Sequence, residues 1–154
     1  MSSYQESVSY RRLSEEGKKR LDMLATLAAR TFEAEIQDCF VSEIIEQDGR
    51  TIYPSFVLLL SRGLSECHNP MTDVHYDLYT LQEQVRGIDV ESKNYEIGCP
   101  TPESRLSVQV HFGSSLGWHL QLQAAAEACD ELTRVLKEWF VPNLASASGP
   151  SSVG

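Results

Sequence analysis

No run of apolar residues in this chain is longer than the five of Phe56–Leu60, so no segment approaches the roughly 20 residues that a membrane-spanning helix requires. The opening dozen residues, MSSYQESVSYRR, hold no hydrophobic stretch of the kind that marks a secretory signal. Cysteine is sparse. Cys39, Cys67, Cys99 and Cys129 are scattered without a C-x-x-C pair, which argues against a disulfide framework or a zinc knuckle and suits reduced thiols. Together these absences predict a cytoplasmic protein with no membrane partner. The chain also contains no G-x-x-x-x-G-K-[ST], G-x-G-x-x-G or H-E-x-x-H, so those nucleotide and zinc-hydrolase signatures are missing. Positive charge is short: 13 Lys and Arg stand against 22 Asp and Glu, a net charge of −9. Residues 1–30 carry six basic side chains against four acidic ones, whereas 31–154 carry seven against eighteen. A body this acidic repels a phosphate backbone, and no stripe of Lys and Arg interleaves with aromatics. Nucleic acid is therefore not an expected partner.

What is present is a clear hairpin, VQVHFGSSLGWHLQLQ, at 108–123. Strand side chains alternate faces, so Val108, Val110 and Phe112 point one way and Ser107, Gln109 and His111 the other. After a five-residue loop, GSSLG, the apolar set is Trp118, Leu120 and Leu122, and the polar set is His119, Gln121 and Gln123. Only one register matches both faces: Phe112 with Trp118, Val110 with Leu120, Val108 with Leu122. It sets His111 opposite His119.

The remaining elements follow from capping and period. Ser14 is a good N-cap, Glu15 and Glu16 suit a first turn, and Leu21, Leu24, Ala25, Ala28 and Phe32 recur at helical spacing, predicting a helix over 15–32. Asp48-Gly49 before RTIY predicts a hairpin pairing Ile45 with Ile52, its strands near 37–47 and 51–61, with Pro54 at an edge or bulge. RGLSECHNPMT reads as a loop and DVHYDLYTL as a strand. Over 82–104 two readings stand: Leu81, Val85 and Ile88 lining a short helix, or Ile88, Val90, Tyr95 and Ile97 lining a hairpin that turns at ESKN. Ala125, Cys129, Leu132, Leu136, Trp139 and Phe140 form the apolar stripe of a last helix, which Pro142 stops. Glu127, Glu131, Arg134 and Glu138 lie largely away from it.

The order helix, strands, helix predicts an α+β fold: a mainly antiparallel sheet of about five strands, with an N-terminal and a C-terminal amphipathic helix packed on one face. A flexible segment over 1–12, a single domain over 13–142 and a disordered tail over 143–154 complete the organisation. In element order alone the chain resembles several small α+β folds, among them secretion-chaperone-like and kinetochore-type adaptor domains.

Several residues could carry chemistry. His111 and His119, flanked by Gln109 and Gln121, could line a ligand site, but two imidazoles are half of a tetrahedral zinc site and no third ligand is fixed by spacing. Cys67, His68 and His75 match no mechanism-bearing motif, and RRLS at 11–14 has the basophilic kinase pattern but is explained by Ser14 as a helix cap. No catalytic, metal or cofactor site is expected. The expected function is a non-enzymatic acidic module that binds another protein, a basic one, as an adaptor, chaperone or inhibitor, with Trp139, Glu127 and Glu131 as contact residues and a homodimer compatible with it. The alternative is a small-molecule cup or small enzyme on the His111/His119 face.

Overall fold

The computed structural model describes residues 3–61, 63–68, 70–71, 75–79, 85–113 and 119–144. They divide between two compact units, Met1–Thr80 and Leu81–Gly154, and the expected body over 13–142 spans parts of both.

In the first unit, Ser3–Glu6 forms a 3-10 turn and Val8–Arg11 the short helix α1, capped by Ser7, whose hydroxyl accepts from Tyr10 N. This stretch lies within the segment expected to be flexible, yet Tyr4 is buried. Its hydroxyl donates to Asp22 Oδ1 at 2.7 Å, and Gln5 and Tyr10 donate to the same carboxylate. Helix α2, Glu15–Phe32, begins as expected with the Ser14 hydroxyl accepting from Gly17 N, and ends at Glu33 in the left-handed region. Its buried side, Leu21, Leu24, Ala25 and Ala28, packs with Ile36, Phe56, Leu58 and Leu60.

Strands β1 (Ile36–Val41), β4 (Ser55–Leu60), β5 (Gly63–His68) and β6 (His75–Tyr79) make a four-stranded antiparallel sheet in the order β1-β4-β5-β6. The pair β2 (Ile44–Ile45) and β3 (Thr51–Ile52) forms a separate ribbon. The Asp48-Gly49 hairpin is there, but Ile44, not Ile45, faces Ile52. A two-residue turn would have paired Ile45 with Ile52. The loop instead takes three residues, with Gly49 at φ +88, Gly49 N donating to Glu46 O and Glu46 N to Arg50 O. Pro54 sits in a bulge: Ser42 N still reaches Ser55 O while Ile44 faces Ile52, so Tyr53 and Pro54 together oppose Glu43.

The loop expected at RGLSECHNPMT is for the most part strand β5, buried from Gly63 to Cys67. Gly, Ser and Glu are poor strand formers, but β5 is hydrogen-bonded on both sides, by β4 and β6, and pairing outweighs composition.

In the second unit, β7 (Val85–Lys93), β8 (Arg105–Phe112) and β9 (His119–Ala125) form a three-stranded antiparallel sheet. The expectation of one sheet of about five strands is thus corrected, among the described residues, to separate sheets of four, two and three strands. Over 85–104 neither reading holds as stated, and 81–84 lie outside the described residues: β7 runs as one strand to Lys93, with a bulge between Val85 and Gly87, and the chain turns over 94–104 before β8. Helix α3, Ala128–Val135, leads into a π turn, Leu136–Phe140, and a 3-10 turn, Val141–Asn143. Leu132, Val135 and Phe140 are buried with Leu106, Val108, Val110, Phe112, Leu120 and Leu122. Of the expected stripe, Cys129, Leu132, Leu136 and Phe140 are buried, and Trp139 is not. The wider i→i+5 turn places Phe140, five after Val135, inward and leaves Trp139 half-buried. The tail expected to be disordered lies, beyond Leu144, outside the described residues. Among the described residues no helix is long and apolar enough to cross a membrane.

Candidate functional site: the polar face of the second sheet

The sheet β7-β8-β9 is two-sided. Every second residue of β8 from Leu106 to Phe112 is buried, and the residues between them are half-exposed. The register in β9 is the one the alternation demanded: Val108 faces Leu122, Gln109 faces Gln121, Val110 faces Leu120 and His111 faces His119. The expected Phe112–Trp118 pair lies outside the described residues. Adding β7 extends each polar rung to three residues. Asp89, Gln109 and Gln121 form one rung, Glu91, Ser107 and Gln123 the next, and Gly87, His111 and His119 the one before.

The two imidazoles sit with ring centroids 5.6 Å apart and tilted by 46°. His111 is not free to act with His119 alone, because its Nε2 lies 2.7 Å from Asp89 Oδ2 on the neighbouring strand. The bulge at Val85–Gly87 leaves Gly87 opposite His111, with no side chain to separate the ring from Asp89 one rung away. An imidazole held by a carboxylate on one side can pass a proton on the other. His119 and Asp89 are exposed, so this pair stands at a surface. Among the described residues no group of three or more His, Cys, Asp or Glu is placed to hold a metal ion.

The other expected contact residues lie on the helix side of the sheet and do not join this face. Glu127 is exposed just before α3. Glu131, expected on the acidic exterior, is buried, with both carboxylate oxygens taken by Arg134 at 3.1 and 2.9 Å. Arg134 also reaches Glu138 at 2.7 Å. Cys67 is buried in β5, and the backbones of His68 and His75 are cross-strand partners. His68 Nε2 lies 3.3 Å from the buried Glu66.

Two features lie outside the expectations drawn from the sequence. The loop GSSLG has the spacing G-x-S-x-G, which marks a nucleophilic serine only at a strand–turn–helix junction. Here it joins two antiparallel strands, β8 and β9, and residues 114–118 lie outside the described ones. The second is the docking of Tyr95 on α3. Its hydroxyl donates to Asp130 Oδ1 at 2.6 Å and lies 3.0 Å from Thr133 Oγ1, while Gly98 N donates to the same Asp130 oxygen. Beside it opens a cleft of about 360 Å³, lined by Ile97, Gly98, Asp130, Thr133, Arg134, Lys137 and Glu138.

Burial, followed by the hydrogen bond to Asp130, pushes the Tyr95 hydroxyl up to about 12. A phenol that stays protonated longer in the folded chain contributes stability in full below its unfolded value near 10, and loses that contribution as pH rises from there to about 12. Tyr95→Phe should therefore flatten, but not abolish, the fall in stability over this interval. Burial raises Tyr4, Tyr10 and Tyr53 as well. Urea unfolding of both proteins at several pH values between 9 and 12 measures the difference, and parallel curves would sink the assignment.

The chain matches no protein-family model, no curated protein and no solved structure in the comparisons made with them.

Proposed function

We propose that the protein is a non-enzymatic acidic module that binds another protein, in the manner of an adaptor, chaperone or inhibitor, and that the contact is made on the polar face of β7-β8-β9. The observation that supports this most is the ordered rung of Asp89, Gln109 and Gln121 beside His111 and His119 on an open sheet face. Amides, imidazoles and carboxylates at fixed spacing offer both donors and acceptors to a partner surface. The acidic surplus steers a basic partner toward it. The alternative, a small-molecule cup or small enzyme, draws on the His111–Asp89 contact, since a carboxylate-held imidazole is what a general base requires.

A pull-down from the native host, with mass spectrometry, supplies the partner on which both readings are decided. Raising salt from about 50 to about 500 mM should slow association roughly tenfold and change dissociation less. Gln109→Arg together with Gln121→Arg should weaken the complex at least tenfold, with His111→Gln near neutral. The reverse pattern, in which His111→Gln abolishes binding or turnover of a small ligand and the arginines do not, would favour the cup. A salt-independent association rate would sink the electrostatic part.

A further inference from the structure

Among the described residues, the outer edge of β7 is unpaired over most of its length. Val85 carries a parallel bridge from Leu144, and from Arg86 to Lys93 no described strand adjoins it on the side away from β8. Exposed edges of this length are usually blunted, because their free N–H and C=O groups template another strand. The one bulge in β7 lies at its start, between Val85 and Gly87, so the register beyond it is regular.

The two faces of this edge differ in kind. On the helix side, the row Leu122, Val108, Val90 runs from fully buried to the edge, where Val90 is 56 % exposed. Leu120, Val110 and Ile88 form a parallel row, ending at the half-exposed Ile88. These rows stop one strand short of closure. On the polar side, Asp89 and Glu91 are both exposed and acidic, with the exposed Lys93 at the end of the strand. Two copies of this edge pairing antiparallel about Val90 would set Asp89 against Glu91 twice, which like charges directly opposite oppose. Self-pairing centred on Val90 is disfavoured, and basic side chains beside Asp89 and Glu91 are favoured.

Resting on the protein-binding reading above, we infer that β7 accepts a fourth strand: an extended segment of a partner protein in which apolar residues alternate with Lys or Arg. The apolar positions would continue the Val90 and Ile88 rows, the basic ones would lie beside Asp89 and Glu91, and main-chain hydrogen bonds would supply the register.

The test uses the full chain and synthetic seven-residue peptides, acetylated and amidated. Alternating Val and Lys should bind and perturb the amide resonances of residues 86–93 first, and alternating Val and Glu should bind at least tenfold more weakly. Two further Val/Lys peptides, N-methylated at the valines or at the lysines, block one main-chain edge each, and at least one should lose tenfold or more. Asp89→Lys with Glu91→Lys, both exposed positions, should invert the preference toward the Val/Glu peptide. Absence of Val/Lys binding at millimolar concentration, N-methylated peptides that bind within twofold of the parent, or an unchanged preference in the double variant would each overturn strand addition. The Gln109→Arg and Gln121→Arg result with the native partner is read separately, so failure of the parent reading shows there while peptide binding at β7 stands or falls by itself.

Discussion

Phe140→Ala should destabilise the protein by about 3–5 kcal/mol, the usual cost of removing a large buried ring whose site cannot collapse. Phe140 has no exposed surface, and its ring meets that of Phe112 edge to face, with centroids 6.5 Å apart and planes at 72°. Such pairs contribute roughly 0.5–1.5 kcal/mol beyond the area they bury. The neighbouring Trp139→Ala, at a half-buried position, should cost clearly less. Because small domains hold only about 5–15 kcal/mol in all, the first change should be visible as a large drop in the urea midpoint and the second as a small one. Reversed sizes would mean that Trp139, not Phe140, closes the core of the second unit, and that the π turn does not place Phe140 inward.

Arg134→Met should cost about 3 kcal/mol, through what it leaves behind. Glu131 is buried with 5 % of its side chain exposed, and Arg134 holds both of its oxygens from the next turn of the same helix. Without the guanidinium a carboxylate remains in a poorly solvated place, and that uncompensated charge, more than the loss of attraction, sets the penalty. Glu131→Met with Arg134→Met removes both charges and should recover most of the loss. The coupling between the two positions is then read from the double-mutant cycle. Simple additivity of the single changes would show that the pair is exposed in solution.

The parts legible in the sequence were those in which one physical signal repeats. In 107–123, alternation on both strands leaves a single register, and every described pair there obeys it. In 15–32 the cap, the first-turn acids and the 3.6-residue period agree. Where two signals compete, the sequence misleads. Asp48-Gly49 announces a hairpin without saying whether the loop holds two residues or three, and the one-residue difference moved Ile45 off Ile52. β5 has the composition of a loop and is a strand only because both neighbours pair with it. The contact that gives the candidate face its chemistry, Asp89 to His111, was not legible at all. It depends on the register of β7, which the bulge at Val85–Gly87 shifts away from simple alternation. Glu131 was misplaced for a related reason: a helical wheel assigns an angle, not the arginine that lets an acid turn inward.

All four strands of the first sheet lie within Met1–Thr80, and each pairs with strands from that same stretch. During synthesis at about 5–20 residues per second, the 74 residues from Leu81 to Gly154 take roughly 4–15 s to follow. Small domains with non-local strand pairing fold within milliseconds to seconds. The first sheet therefore has its hydrogen-bond partners on hand before the second exists. This matters most for β4, SFVLLL, which is buried throughout, apolar after its first residue, and of the kind that aggregates when left open. Its two neighbours are β1, made before it, and β5, which begins three residues after it ends, so the most adhesive segment of the nascent chain waits only a few residues for cover.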